Sequence, residues 1–169
     1  MRLLYIVFSF FSFSVMGFAK FSYPNLDGFT VYLYAGLIAA PFFGGLGLLA
    51  ARRGGRSSFR WAMNGIVMGG LMVGGLVELM NGKFDSSPAV VHQAKVLEKH
   101  EERHKRTVSH MVSLASWRPG HNTEKMRVSE NEYAKVVPGT TMMEVKTHAG
   151  FFGIEWIESQ NILSATKSS

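Results

Sequence analysis

His100, Glu101, His104 and His110 are the residues whose types and spacing bear most directly on chemistry. His100-Glu101-Glu102-Arg103-His104 fits the pattern H-E-x-x-H, and His110 follows six residues after His104. On a helix, two histidines four apart share a face and can hold a zinc ion, while the glutamate takes a proton from the metal-bound water. A third histidine would complete the ligand set and leave one position for water.

Over eleven residues this segment resembles the metzincin zinc-protease signature H-E-x-x-H-x-x-G-x-x-H. The resemblance implies His100, His104 and His110 as ligands and Glu101 as general base. Four departures weigh against it. Thr107 stands where the family has Gly, at a turn that a β-branched residue resists. Glu98, Lys99, Glu102, Arg103, Lys105 and Arg106 surround the histidines, so a helix here would have no apolar face to dock. Few residues precede the motif to build a supporting sheet, and Met142 or Met143 stands in for the Met-turn in a strand-like context. The competing reading makes Glu98–Arg106 the charged tip of a β-hairpin, with His92 and His110 as strand residues on either side. No residue is therefore assigned to catalysis, to a metal or to a cofactor. His121 and His148 read as solvated.

Other chemistry is missing from the sequence. There is no G-x-S-x-G, no phosphate loop and no cysteine, so neither a thiolate metal site nor a disulfide framework is available. The net charge of +6 suggests nucleic acid until it is divided along the chain. Residues 1–80 carry six basic and two acidic side chains, and the remainder is near neutral with twelve against ten. The excess is concentrated in Ala51–Arg60, where it reports membrane orientation, and nucleic-acid binding is not expected.

The elements that would position any site begin with three apolar runs. Leu3–Ala19, Thr30–Ala51 and Trp61–Val77 contain no Asp, Glu, Lys or Arg. About 20 such residues let a helix cross a bilayer. The first run (1–19) reads either as a retained span or as a signal peptide cleaved after Ala19. Residues 30–80 read as a helical hairpin, 81–89 as a linker, 90–160 as a β-domain and 161–169 as a flexible tail. Arg52, Arg53, Arg56 and Arg60 keep the short connector in the cytoplasm, which sends the C-terminal part to the extracytoplasmic side.

Small residues recur on the two hairpin spans: Gly36, Ala40 and Gly44 on one, Gly65, Gly69, Gly70 and Gly74 on the other. Such faces let helices approach closely in lipid. They serve either to pack the hairpin on itself or to join a homo-oligomer or another membrane protein. Pro41 should kink its span. Glu78, the acidic residue nearest mid-span, is expected to reach the headgroup layer, and Asn64 to be satisfied locally.

In the tail the periodicity turns twofold. Strands are expected over Val90–Lys99, Thr107–Trp117, Glu124–Val128, Thr141–His148 and a last one in which Phe152, Ile154 and Trp156 share a face. Ser129-Glu130-Asn131-Glu132 is a capping box, which predicts a short helix that stops before Pro138-Gly139. The fold class is thus an α+β membrane protein: two to three transmembrane helices, then a small five-stranded β-barrel or β-roll, OB-like in element order, with one short helix.

Ser116-Trp117-Arg118-Pro119-Gly120, Glu124-Lys125-Met126-Arg127-Val128, Pro138-Gly139-Thr140 and Gly150-Phe151-Phe152-Gly153-Ile154-Glu155-Trp156 together resemble the tail of a group of bacterial proteins. These are small uncharacterised membrane proteins, of the domain-of-unknown-function kind, that join a helical hairpin to a small β-domain. The resemblance implies an inner-membrane setting and carries over no binding residue. The expected role is a non-enzymatic inner-membrane protein displaying its β-domain in the periplasm as a scaffold, interaction or envelope-assembly module. The alternatives are a membrane-tethered zinc protein using the histidine cluster, or an accessory subunit of a larger membrane complex. The lipid bilayer is the one partner the sequence implies directly; any small-molecule ligand is unspecified.

Overall fold

The computed structural model describes residues 2–54, 58–105 and 107–163. The chain divides into two compact units: Met1–Pro88 with Ala149–Trp156, and Ala89–His148 with Ile157–Ser169.

The first unit is built on three helices: α1 (Arg2–Ser22), α2 (Gly28–Gly54) and α3 (Ser58–Lys83). Two segments, Gly28–Leu49 of α2 and Phe59–Lys83 of α3, are long and apolar enough to cross a membrane; the apolar part of α1, Ile6–Ser22, is shorter. Leu37, Ile38, Phe42 and Phe59 are exposed on these helices. Exposed aliphatic and aromatic side chains along whole helices suit a hydrocarbon solvent and would be a liability in water. Helix α2 continues through Pro41. Helix α3 packs against both α1 and α2. Arg52 and Arg53 lie in the last turn of α2, and Arg56 lies outside the described residues.

Glycine permits the close approach of α2 and α3. A Cβ on Gly65 would strike the Phe43 carbonyl, and one on Gly69 the Phe43 ring. One on Gly70 would come 3.0 Å from the Gly36 Cα, one on Gly44 3.2 Å from Ile66, and one on Gly74 would enter the Tyr32 ring. Gly36 itself has open space on its Cβ side, where with Ala40 it lines a shallow apolar groove between the two helices.

The second unit is an antiparallel sheet with strand order β3-β2-β1-β4-β5. Its strands are β1 (Val90–His104), β2 (Thr107–Ala115), β3 (Thr123–Val128), β4 (Met142–His148) and β5 (Trp156–Leu163). The first half of β1 pairs with β4, from Val90↔Thr147 to Lys95↔Met142. Its second half pairs with β2, and a register shift between Val96 and Glu98 leaves Leu97 as the extra residue. A bulge of this kind bends the strand and lets it change partners. Alternation then places Ala94, Val96, Val112, Leu114, Met126, Val128, Met143 and Val145 on one buried face. Helix α4 (Glu130–Lys135) begins at a capping box in which Ser129 and Glu132 satisfy each other's backbone amides, and Val136 just beyond it is buried.

Three expectations are corrected. The sheet is open rather than a closed barrel. The edges β3 and β5 are bridged by a side chain, Gln160 Nε2 donating to the Arg127 carbonyl at 2.6 Å, and are not paired as neighbouring strands. The last strand does not include Phe152 and Ile154. Gly150 and Gly153 adopt φ of +79° and +73°, a left-handed backbone that interrupts extension, and the strand begins at Trp156. The first strand does not end at Lys99 but runs to His104, so the charged tip of the β1–β2 hairpin is paired strand with the reversal at Lys105; Arg106 lies outside the described residues.

Candidate functional site

The histidine motif lies on a strand, which changes its geometry. His100 and His104 occupy positions opposite Met111 and Thr107, whereas His110 stands opposite Glu101. Directly opposed residues in an antiparallel pair share a face, and neighbours along a strand alternate. His110 is therefore on the other face of the sheet from His100. His100 Nε2 is 3.5 Å from Glu102 Oε1. His110 lies against Tyr133 with ring centroids 4.7 Å apart and the rings tilted by 36°; its buried Nδ1 has no hydrogen-bond partner among the described residues and lies 3.9 Å from Glu101. Among the described residues no group of three or more histidine or carboxylate side chains converges as a metal site. The metzincin arrangement needs a helix, and this segment does not form one.

His148 is not simply solvated, since its Nε2 lies 3.2 Å from Glu158 Oε2; His121 is exposed. Nearby in the sheet unit, Arg118 grips Glu124 through two hydrogen bonds of 2.8 Å, and Ser116 Oγ donates to the same carboxylate at 2.6 Å. Burial alone would raise the pKa of Glu124, but the Arg118 and Ser116 bonds outweigh it and hold the group below its ordinary value.

The polar cluster with the most concentrated chemistry is in the helical unit. Glu78 is 1% exposed, so its carboxylate is enclosed within the helical unit. Lys20 of α1 donates to its Oε1 at 2.9 Å, and Tyr32 of α2 donates to its Oε2 at 2.8 Å. Asn25, in the α1–α2 turn, adds a short bond from its amide to Oε1. The Lys20 ammonium also lies 5.0 Å over the Tyr32 ring. One carboxylate thus gathers donors from both other helices and from the turn that joins them. A charge can be buried in an apolar bundle when it is paired and its lone pairs are filled. Gly28 leaves the space that the Lys20 ammonium and the Asn25 side chain occupy, and Gly74 leaves that of the Tyr32 ring.

A second constellation follows at the end of α3. Asn81, 2% exposed, donates to the Ile154 carbonyl at 2.8 Å and accepts from the Phe152 amide at 2.9 Å, while its own carbonyl accepts from the Phe151 amide at 3.0 Å. Asp85 accepts from the Gly150 amide at 2.9 Å, the Trp156 indole at 2.8 Å and the Ser87 amide at 2.8 Å. Burial would raise the pKa of Asp85, but these donors together lower it. Tyr23 meets Trp156 edge to face at 5.2 Å. Ala149–Trp156 is thereby fastened to the end of α3 and to the α1–α2 turn.

The sequence marks Glu78 as unusual but gives no sign of its partners. Lys20, Asn25 and Tyr32 lie 58, 53 and 46 residues away and follow no local spacing rule. Asn81 and Asp85 read as linker polarity because the amides and carbonyl of the 150–154 loop that they bind lie more than 60 residues downstream. Neither cluster sets a nucleophile against a base; both hold elements together. No protein-family model, curated protein or solved structure matches this chain.

Proposed function

We propose that this chain is a non-enzymatic scaffold of a bacterial inner membrane. Its three helices form a fixed platform in the bilayer, and its sheet unit serves as an extracytoplasmic, periplasmic interaction module. The observation that supports this most is the Glu78 cluster. Donors from α1, α2 and their turn converge on one carboxylate of α3, so the helices behave as one body rather than as separate anchors. Lys20 ends α1, Tyr32 starts α2 and Glu78 is near the end of α3, whereas Arg52 and Arg53 end α2. With the arginines retained in the cytoplasm, the Glu78 end of the bundle faces outward, and so does the chain that follows α3.

Reporter fusions after Ser169 test this orientation. A reporter active only outside the cytoplasm should work, and one that fluoresces only in the cytoplasm should stay dark. The reverse pattern would overturn the reading. Crosslinking in native membranes then reads the partner. The exposed Gly36 and Ala40 groove favours capture of a helix, either from a second copy or from a larger complex in which this chain is an accessory subunit.

A further inference from the structure

Three aromatic rings in the helical unit are exposed side by side. Phe84, Phe151 and Phe152 are 57%, 58% and 48% exposed. Their rings form a chain, with Phe84–Phe151 centroids 6.2 Å apart and Phe151–Phe152 centroids 5.0 Å apart. An exposed cluster of this kind on a rigid loop marks a surface that something apolar covers.

The depth of the loop identifies what covers it. The Phe151 and Phe152 amides both bond to Asn81, and Asn81 lies within the apolar segment Phe59–Lys83. At 1.5 Å rise per residue, Asn81 is about 3 Å inside the end of that segment. On the membrane reading proposed above, a loop whose backbone is fastened there lies level with the membrane boundary. Backbone groups in such a place must find partners within the protein. Here they do: the amides of Ala149, Gly150, Phe151 and Phe152 are taken by Ser87, Asp85 and Asn81, and the Ile154 carbonyl by Asn81. Gly150 makes this possible, since a Cβ there would collide with the Ile154 carbonyl and the Asn81 amide. Tyr23, Trp156 and Lys83 flank the loop, the residue types that gather where hydrocarbon meets headgroups.

We propose that Ala149–Trp156 is a membrane-interface anchor whose Phe151 and Phe152 rings, beside Phe84, insert among the headgroups and upper acyl carbons of the outer leaflet. It rests on the membrane reading above and adds a lipid contact from a segment that follows β4, far along the chain from any apolar run. Phe84 directly follows α3, on which Leu76 and Met80 are exposed.

The chain contains no cysteine, so a single introduced cysteine carries a spin label without background. The full-length protein is reconstituted in phosphatidylethanolamine–phosphatidylglycerol vesicles. Labels are placed singly at Phe151→Cys, Phe152→Cys, Leu37→Cys and His121→Cys. The loop is held through backbone amides, so replacing one ring leaves its fastening intact. Collision with oxygen, which enters lipid, is compared with collision with a nickel chelate, which does not. The expected result is an oxygen-to-nickel ratio at 151 or 152 severalfold above that at 121 and approaching that at 37. Ratios at both loop positions matching 121, with 37 still in lipid, overturn the anchor and leave the membrane reading standing. Shielding of both loop positions from both reagents overturns it in favour of a protein partner. A label at 37 that meets the nickel chelate freely refutes the membrane reading itself, and the anchor with it.

Discussion

Removing the Tyr32 hydroxyl tests whether Glu78 is ionised and holds the helices together. Tyr32→Phe deletes one donor, at 2.8 Å, from a carboxylate that is 1% exposed. A hydrogen bond to a charged group contributes about 1.5–3 kcal/mol, and a neutral one about 0.5–1.5. Loss of the hydroxyl should therefore cost about 2 kcal/mol in the native chain and about 1 kcal/mol when Glu78→Gln has made the acceptor neutral. The difference, a coupling of about 1 kcal/mol, is the part that belongs to the charge. Lys20→Met removes the counter-charge. Breaking a buried pair costs about 3–5 kcal/mol, but the Lys20 side chain is 40% exposed, which lowers the expectation to about 2. Gly74→Ala offers an independent route, because the added methyl enters the space of the Tyr32 ring. Equilibrium unfolding in mixed micelles, titrated with a denaturing detergent and followed by circular dichroism, reads all of these. A Tyr32→Phe effect below about 0.5 kcal/mol, or strict additivity with Glu78→Gln, would refute the account of a charged carboxylate gripped by three donors.

Arg118→Ala strands Glu124, which is 4% exposed, and should destabilise the sheet unit by about 3–5 kcal/mol in thermal unfolding of the full chain. The folded pKa of Glu124 is depressed, so its contribution is full above the ordinary value of 4.5 and is lost as pH falls through the lower folded value; Glu124→Gln should flatten that acid limb. Gly65→Val forces a side chain onto the Phe43 carbonyl and should cost at least about 1–3 kcal/mol in the detergent titration. Ser129→Ala removes the cap of α4 and should cost about 0.5–2 kcal/mol, measured as a lower thermal midpoint. His100→Ala should leave the zinc content of the purified protein unchanged, because His110 lies on the opposite face of the sheet.

Patterns with short periods are legible in the amino-acid sequence. The apolar runs become α1, α2 and α3, and an uncharged run of such length is the pattern a spanning helix needs. Strict alternation around Met143 and Val145, and around Met126 and Val128, marks buried sheet faces because the pleat has period two. The capping box at Ser129 and Glu132 is a four-residue feature and is readable as such.

Other features depend on where distant segments meet. Gln160 meets the Arg127 carbonyl across 33 residues of chain, and the dispersal of the histidines follows from register, which motif spacing along one strand does not encode. The Glu78 cluster needs α1 and the turn after it to fold back on the end of α3. The loop at Phe151 needs Asn81 and Asp85 to capture backbone amides that carry no sequence label of their own. Sequence alone determined the helices, most of the strands and their buried faces, because each is a repeat of hydrophobicity over a few residues. Only tertiary structure decided which polar groups distant in the chain meet. A buried hydrogen bond is specified by three-dimensional proximity, and the chain brings its parts together over separations that no local period records.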